Sequence, residues 1–241
     1  MTKLEDDLGV KTEPKFWQPP KCFQGETVFV IGGGPSILNF NIDRLKDRNC
    51  ISVNNAHTIA PWSRYLVFHD MRWMGWHLTT VMDFRGIIVT TNYGKCPLRV
   101  ERMRREHKIA INCTDPTCLA GIDSGTHAVN LAFHTGPKTI ALVGFDMGFR
   151  DIKPAEITAE IKHLQTPLKR EGFVPPPLRM DPGVLKHWHQ EHPIPPMANN
   201  YDRFLAQYPN IIRTLQSHNV RLVSLTPTRI KIPRVKLSAI V

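Results

Sequence analysis

From Thr27 to Ser224, short apolar runs alternate with longer stretches in which apolar residues recur at helical spacing. The runs predict strands over Thr27–Ile31, Cys50–Val53, Tyr65–Phe68, Ile87–Thr91, Ile109–Asn112, Thr139–Val143 and Arg221–Ser224. "TIALVG", from Thr139, is apolar on both faces, as a strand in the middle of a parallel sheet must be. The preceding "SGTHAVNLAFHTG" predicts a helix, with Ser124 placed to cap its start and Gly136 suited to the left-handed position past its end. A second helix is predicted from Asn200 to His218, with Tyr201, Leu205, Tyr208, Ile212 and Leu215 on one face. Strand–helix–strand alternation builds an open, mainly parallel α/β sheet with helices on both faces, a Rossmann-like single domain spanning 26–228.

The flanks do not share this pattern. Residues 1–25 read as a polar leader and 229–241 as a basic C-terminal tail. Within the domain, 166–196 holds "VPPP" and "HPIPP", a proline density that excludes regular helix or central strand. This excursion is expected to cross the ligand edge of the sheet as a loop or lid.

Composition narrows the function classes. The chain has 241 residues, 41% of them hydrophobic, and no apolar run approaches the roughly 20 residues that span a bilayer. The acidic start "MTKLEDDLGV" does not read as a secretory signal, and the five cysteines lack C-x-x-C spacing. A cytoplasmic protein with reduced thiols is the expectation. The formal charge of +10 fits either plain solubility or an anionic partner, and the basic residues cluster in "RVERMRREHK" (Arg99–Lys108), which reads equally as solvated surface, and "TRIKIPRVK" (Thr228–Lys236). An anionic membrane surface and an oligomer stay open, whereas no nucleic-acid-binding motif accompanies the charge.

"TVFVIGGGPSI" carries the first chemistry. A strand running into Gly32, Gly33 and Gly34 and then a helical turn brings backbone N–H groups to one point, where phosphate is attracted. The glycines allow close approach and positive φ, Pro35 suits a first turn, and Ser36 can offer its amide and hydroxyl to a phosphate oxygen. No Lys-Ser or Lys-Thr follows, which excludes a P-loop. Ile37 stands where a dinucleotide fingerprint needs its third glycine, and Asn54 and Asn55 where the ribose-binding carboxylate should be. A tight turn that binds nothing is the plain alternative.

The order of motifs is informative. "VIGGGPSI" precedes "SVNNAH", "YLVFHD", "IDSGTHAVNLAFHTGPKTIALVGFDM", "HWHQEH" and "RLVSLTP". In this order the chain resembles the Campylobacter-type bacterial sialyltransferases and the superfamily that includes the archaeal 6-hydroxymethylpterin diphosphokinases. The resemblance implies that Gly33, Pro35 and Ser36 belong to the loop holding the donor phosphate. It implies that Asn54, Ser124, Gly125 and Asp146 surround the nucleoside, with Asp70 at another polar strand end. It also implies a histidine general base before the last long helix, for which His192 stands first and His189 and His187 follow. Gly33 replaces the family's usual asparagine. Arg150 stands after the "GFD" turn where the sialyltransferases carry tyrosines, as a fixed charge for a departing phosphate.

The expectation is a nucleotide-binding transferase that moves a glycosyl group from a CMP-type nucleotide-sugar donor to a glycan or small-molecule acceptor. Two alternatives stay open: a Mg²⁺-dependent diphosphokinase acting on a pterin-like alcohol, and a non-catalytic phage or accessory protein that keeps the fold. HxHxxH at His187–His192 is a weak metal pattern, and no metal is expected.

Overall fold

The computed structural model describes residues 16–96, 98–107, 111–148, 150–151, 184–185 and 198–241, with backbone only at 150–151, 184–185 and 198–200. Its centre is a seven-stranded, wholly parallel sheet. The strands are β1 (Thr27–Ile31), β2 (Asn49–Val53), β3 (Tyr65–Phe68), β4 (Ile87–Thr90), β5 (Glu101–Arg102), β8 (Thr139–Val143) and β11 (Arg221–Ser224). Between β5 and β8 lie β6 (Arg104–Glu106) and β7 (Cys118–Ala120), which pair with each other. After β8, β9 (Arg150–Asp151) pairs antiparallel with β10 (Val184–Leu185). The sheet order is β11-β8-β1-β2-β3-β4-β5, so the winding reverses between β1 and β8.

Alternation along the strands supplies both faces with core. Val28, Val30, Ile51, Val67, Ile140 and Leu142 pack beneath α2 (Ser124–His134) and α4 (Tyr208–Ser217). Phe29, Ile31, Ala141 and Val143 face short 3₁₀ turns that contribute Ile37, Leu45, Ala56 and Leu237. Leu66 and Phe68 lie under Trp73, Met74 and Val81 of α1 (Met71–Met82). Burying strands on both faces requires this continuous hydrophobicity, which explains why β1, β3, β8 and β11 fall where the apolar runs place them. The Leu237 contact, with Ile230 also buried, binds 229–241 to the sheet instead of leaving it as a loose tail.

Other elements differ from the pattern. No strand forms at 111–112, because the Asn112 side chain accepts from the Thr114 and Asp115 amides and turns the chain. Residues 109–110 lie outside the described set. The sheet edge is instead β5, and the arginine-bearing β6 pairs with β7 outside that sheet; between β5 and β6 only Met103 is fully buried. The single helix over 200–218 is two: α3 (Ala198–Leu205) and α4. Pro209 has no N–H for the carbonyl of Leu205, and it starts α4 from within its first turn. Among the described residues no helix is long and apolar enough to cross a membrane.

Candidate functional site

The β1 and β8 turns meet where the winding reverses, the place at which open α/β sheets hold ligands. Gly32 N–H donates to the Val143 carbonyl at 2.8 Å and Gly34 N–H to the Gly144 carbonyl at 2.7 Å. The Asp146 carboxylate then folds back onto the loop. It accepts from the Ser36 amide at 2.8 Å and from the Ser36 hydroxyl at 2.5 Å. Both donors that the sequence offers to a phosphate are therefore given to an internal carboxylate.

The glycines of this loop are needed for closeness. Gly34 has φ −68°, open to any residue, but a Cβ there would lie 2.2 Å from Asp146 Oδ1. A Cβ on Gly32 would meet the Gly144 carbonyl at 2.7 Å. The positive φ expected of the loop belongs across the crevice to Gly144, at +69°. Neighbouring Phe145 places its ring between Gly32 and Gly125, either of which would crowd it at 2.9 Å with a Cβ. Phe145 thus ties the start of α2 to the glycine turn.

A cleft of ≈ 570 Å³ opens beside this pair, over the carboxyl ends of β1, β8 and β11. Ser36 and Asp146 form one side, and Thr226, Thr228, Arg229 and Arg234 another. Three of these groups are engaged. The Thr226 hydroxyl accepts from Gly144 N–H, and that of Thr228 donates to the Phe145 carbonyl. Arg229 donates to the Met147 carbonyl and pairs with Asp202 at 2.9 Å. Arg234 is exposed and pairs with no carboxylate among the described residues. A second cleft of ≈ 460 Å³ shares Phe40, Leu225 and Arg234 with the first and adds Arg44 and Lys236. The result is a carboxylate on one side of a crevice and cationic side chains on the other. Asp146 also bears on Tyr201, whose phenol is pushed up first by burial and then by that charge.

The remaining residues singled out in the sequence are spread along the same edge. Asn54 follows β2 in the left-handed region, at φ +51°, and its carbonyl bonds the His57 ring. Asn55 is buried and accepts from Trp73 at 2.6 Å, so it holds α1 in place. Ser124 occupies the first position of α2. The cap is Asp123, which accepts from the Gly125 and Thr126 amides at 2.8 and 3.0 Å and is joined by Gln207. Burial pushes this carboxyl up despite those bonds. Asp70 caps α1 and pairs with Arg72. Arg150 contributes backbone to β9, and His187, His189 and His192 lie outside the described residues. Among the described residues no group of three His, Cys, Asp or Glu side chains could hold a metal ion.

Thr226, Thr228, Arg229 and Arg234 were not singled out as site residues. The signal for the first three was available, since "SLTPTR" follows β11, the strand beside β8, but it read as the border of a tail. No family model matches the chain, and no curated protein or solved structure shows significant similarity to it.

Proposed function

We propose that the chain is a nucleotide-dependent transferase that seats its donor in the cleft at the β1–β8 crossover. The observation that carries this reading is the pairing of opposite needs in one crevice. Asp146 can accept from ribose hydroxyls, while Arg234, with Arg44 and Lys236 behind it, can meet a phosphate. Glycosyl transfer from a CMP-type donor is the reaction that the resemblance of motifs favours. The sugar–phosphate C–O bond breaks, the acceptor oxygen bonds the sugar carbon, and the acceptor's proton passes to a histidine of the His187–His192 segment.

A specific contact favours a second reading. A serine hydroxyl against an aspartate carboxylate, as at Ser36 and Asp146, is the pair with which phosphoryl-transfer sites hold Mg²⁺ beside a nucleotide. In a diphosphokinase these two side chains would hold the magnesium ion, which would supply charge to the nucleotide phosphates.

Thermal unfolding with CMP, CMP-sugars and ATP, each with and without Mg²⁺, separates these readings. Stabilisation by the CMP series without metal supports glycosyl transfer. Stabilisation by ATP only with Mg²⁺ supports the second reading. At 100 times the dissociation constant the gain is about 2.7 kcal/mol. No stabilisation by any of them removes the nucleotide site altogether.

A further inference from the structure

A second polar cluster lies farther along the same sheet edge, beyond β3 and β4. His127, in the first turns of α2, is fully buried, and its Nε2 faces the Gly121 carbonyl at 3.2 Å. A carbonyl only accepts, so Nε2 carries the proton. Burial keeps this ring neutral, pushing its pKa down to about 3, so Nδ1 is an acceptor. The Thr91 hydroxyl, 3.4 Å away, donates to it. Thr91 then accepts from Nδ1–H of His69 at 2.7 Å. The Nε2 lone pair of His69 is left to accept from Arg105 Nη1 at 2.7 Å. Every donor and acceptor from Arg105 to Gly121 is thereby assigned.

Among the described residues, the relay leaves Arg105 with no carboxylate to balance its charge. Its partner is a neutral imidazole, held so by burial and by the guanidinium itself. Its Nε–H is buried with no acceptor among the described residues. The neighbouring cations differ: Arg104 pairs with Asp115, and Arg102 donates to the Tyr93 and Gly94 carbonyls. The adjacent carboxylates are committed, Asp70 to Arg72 and Glu106 to the Asn112 side chain. A half-buried guanidinium is costly without an anion beside it. Here it stands at a ligand edge on a support that fixes its position through His69.

We propose that Arg105, held by the His69–Thr91–His127 relay, is an oxyanion-binding subsite that takes a phosphate or carboxylate group of a small ligand. It is distinct from the crossover cleft and does not depend on the transferase reading. If both sites serve one reaction, the ligands together carry anionic groups at two places along the sheet edge.

The test follows the His69 imidazole resonances by NMR while the full chain is titrated with inorganic phosphate and, separately, with acetate at constant ionic strength. Saturable shifts at His69 with either anion are expected, and the tighter of the two names the group. Arg105→Gln keeps an N–H for His69 but removes the charge, and should weaken that response at least tenfold. Arg234→Ala, which touches none of the relay's residues, should leave it unchanged. Absence of saturation with both anions, or equal affinity in Arg105→Gln, overturns the proposal. Loss of nucleotide binding with an intact His69 response would instead count against the transferase reading alone.

Discussion

At the scale of single residues, Gly34 shows how sequence and structure divide the explanation. Three glycines after a strand announce a close approach, and that was legible. Asp146 was expected at the same site, but that its carboxylate closes on Ser36 was not legible across 110 positions. Gly34→Ala should therefore act through Asp146. The new methyl carbon would lie 2.2 Å from Oδ1 and 2.7 Å from the Gly144 carbonyl, so the carboxylate must leave, both Ser36 bonds break and the turn itself must shift. Hydrogen bonds to a charged group contribute about 1.5–3 kcal/mol each, and part returns through water at this half-buried site. A loss of about 1–3 kcal/mol in urea unfolding is the expected outcome, with Ser36→Ala costing less because the amide bond survives.

At the scale of elements, the strands of the sheet centre were legible because burial on both faces leaves no alternative composition. The start of α2 was legible only to one residue. Both Asp123 and Ser124 can cap a helix, and the choice is made by Thr126, which closes a capping box with Asp123. Asp123→Ala should lower stability by about 1–2 kcal/mol. Asp123→Asn should recover most of it, because an amide oxygen can accept the same amide bonds without placing a charge where burial opposes one. Thermal midpoints of the two variants check this order. The β5 strand escaped notice because an edge needs little apolar surface, so its residues were read with the basic cluster and not as a strand.

At the scale of the whole molecule, buried and half-buried histidines set the response to acid. His57, His69, His127 and His134 all have their pKa pulled below the ordinary value, in each case first by burial. The unfolded chain then binds protons more readily than the folded one, so stability falls as the pH drops below about 6.5. For His127 the loss continues towards pH 3, and by pH 5 this residue alone accounts for about 2 kcal/mol. Asp123, raised by burial, works in the opposite sense at lower pH and offsets part of it. Thermal midpoints should decline from pH 7.5 to pH 5, and His127→Gln should flatten that slope. A flat profile in the unmodified chain would show that these rings are hydrated.

The crossover cleft was half legible. Gly34, Ser36 and Asp146 could be named from their strand ends, but Arg234 could not, because only the neighbouring of β8 and β11 brings it to them. Calorimetric titration with the nucleotide that most stabilises the chain tests the central claim most directly, in the unmodified protein and in Asp146→Asn and Arg234→Ala. We predict that each substitution weakens binding at least tenfold, about 1.4 kcal/mol. Unchanged affinity in both variants would place the nucleotide elsewhere and contradict the account.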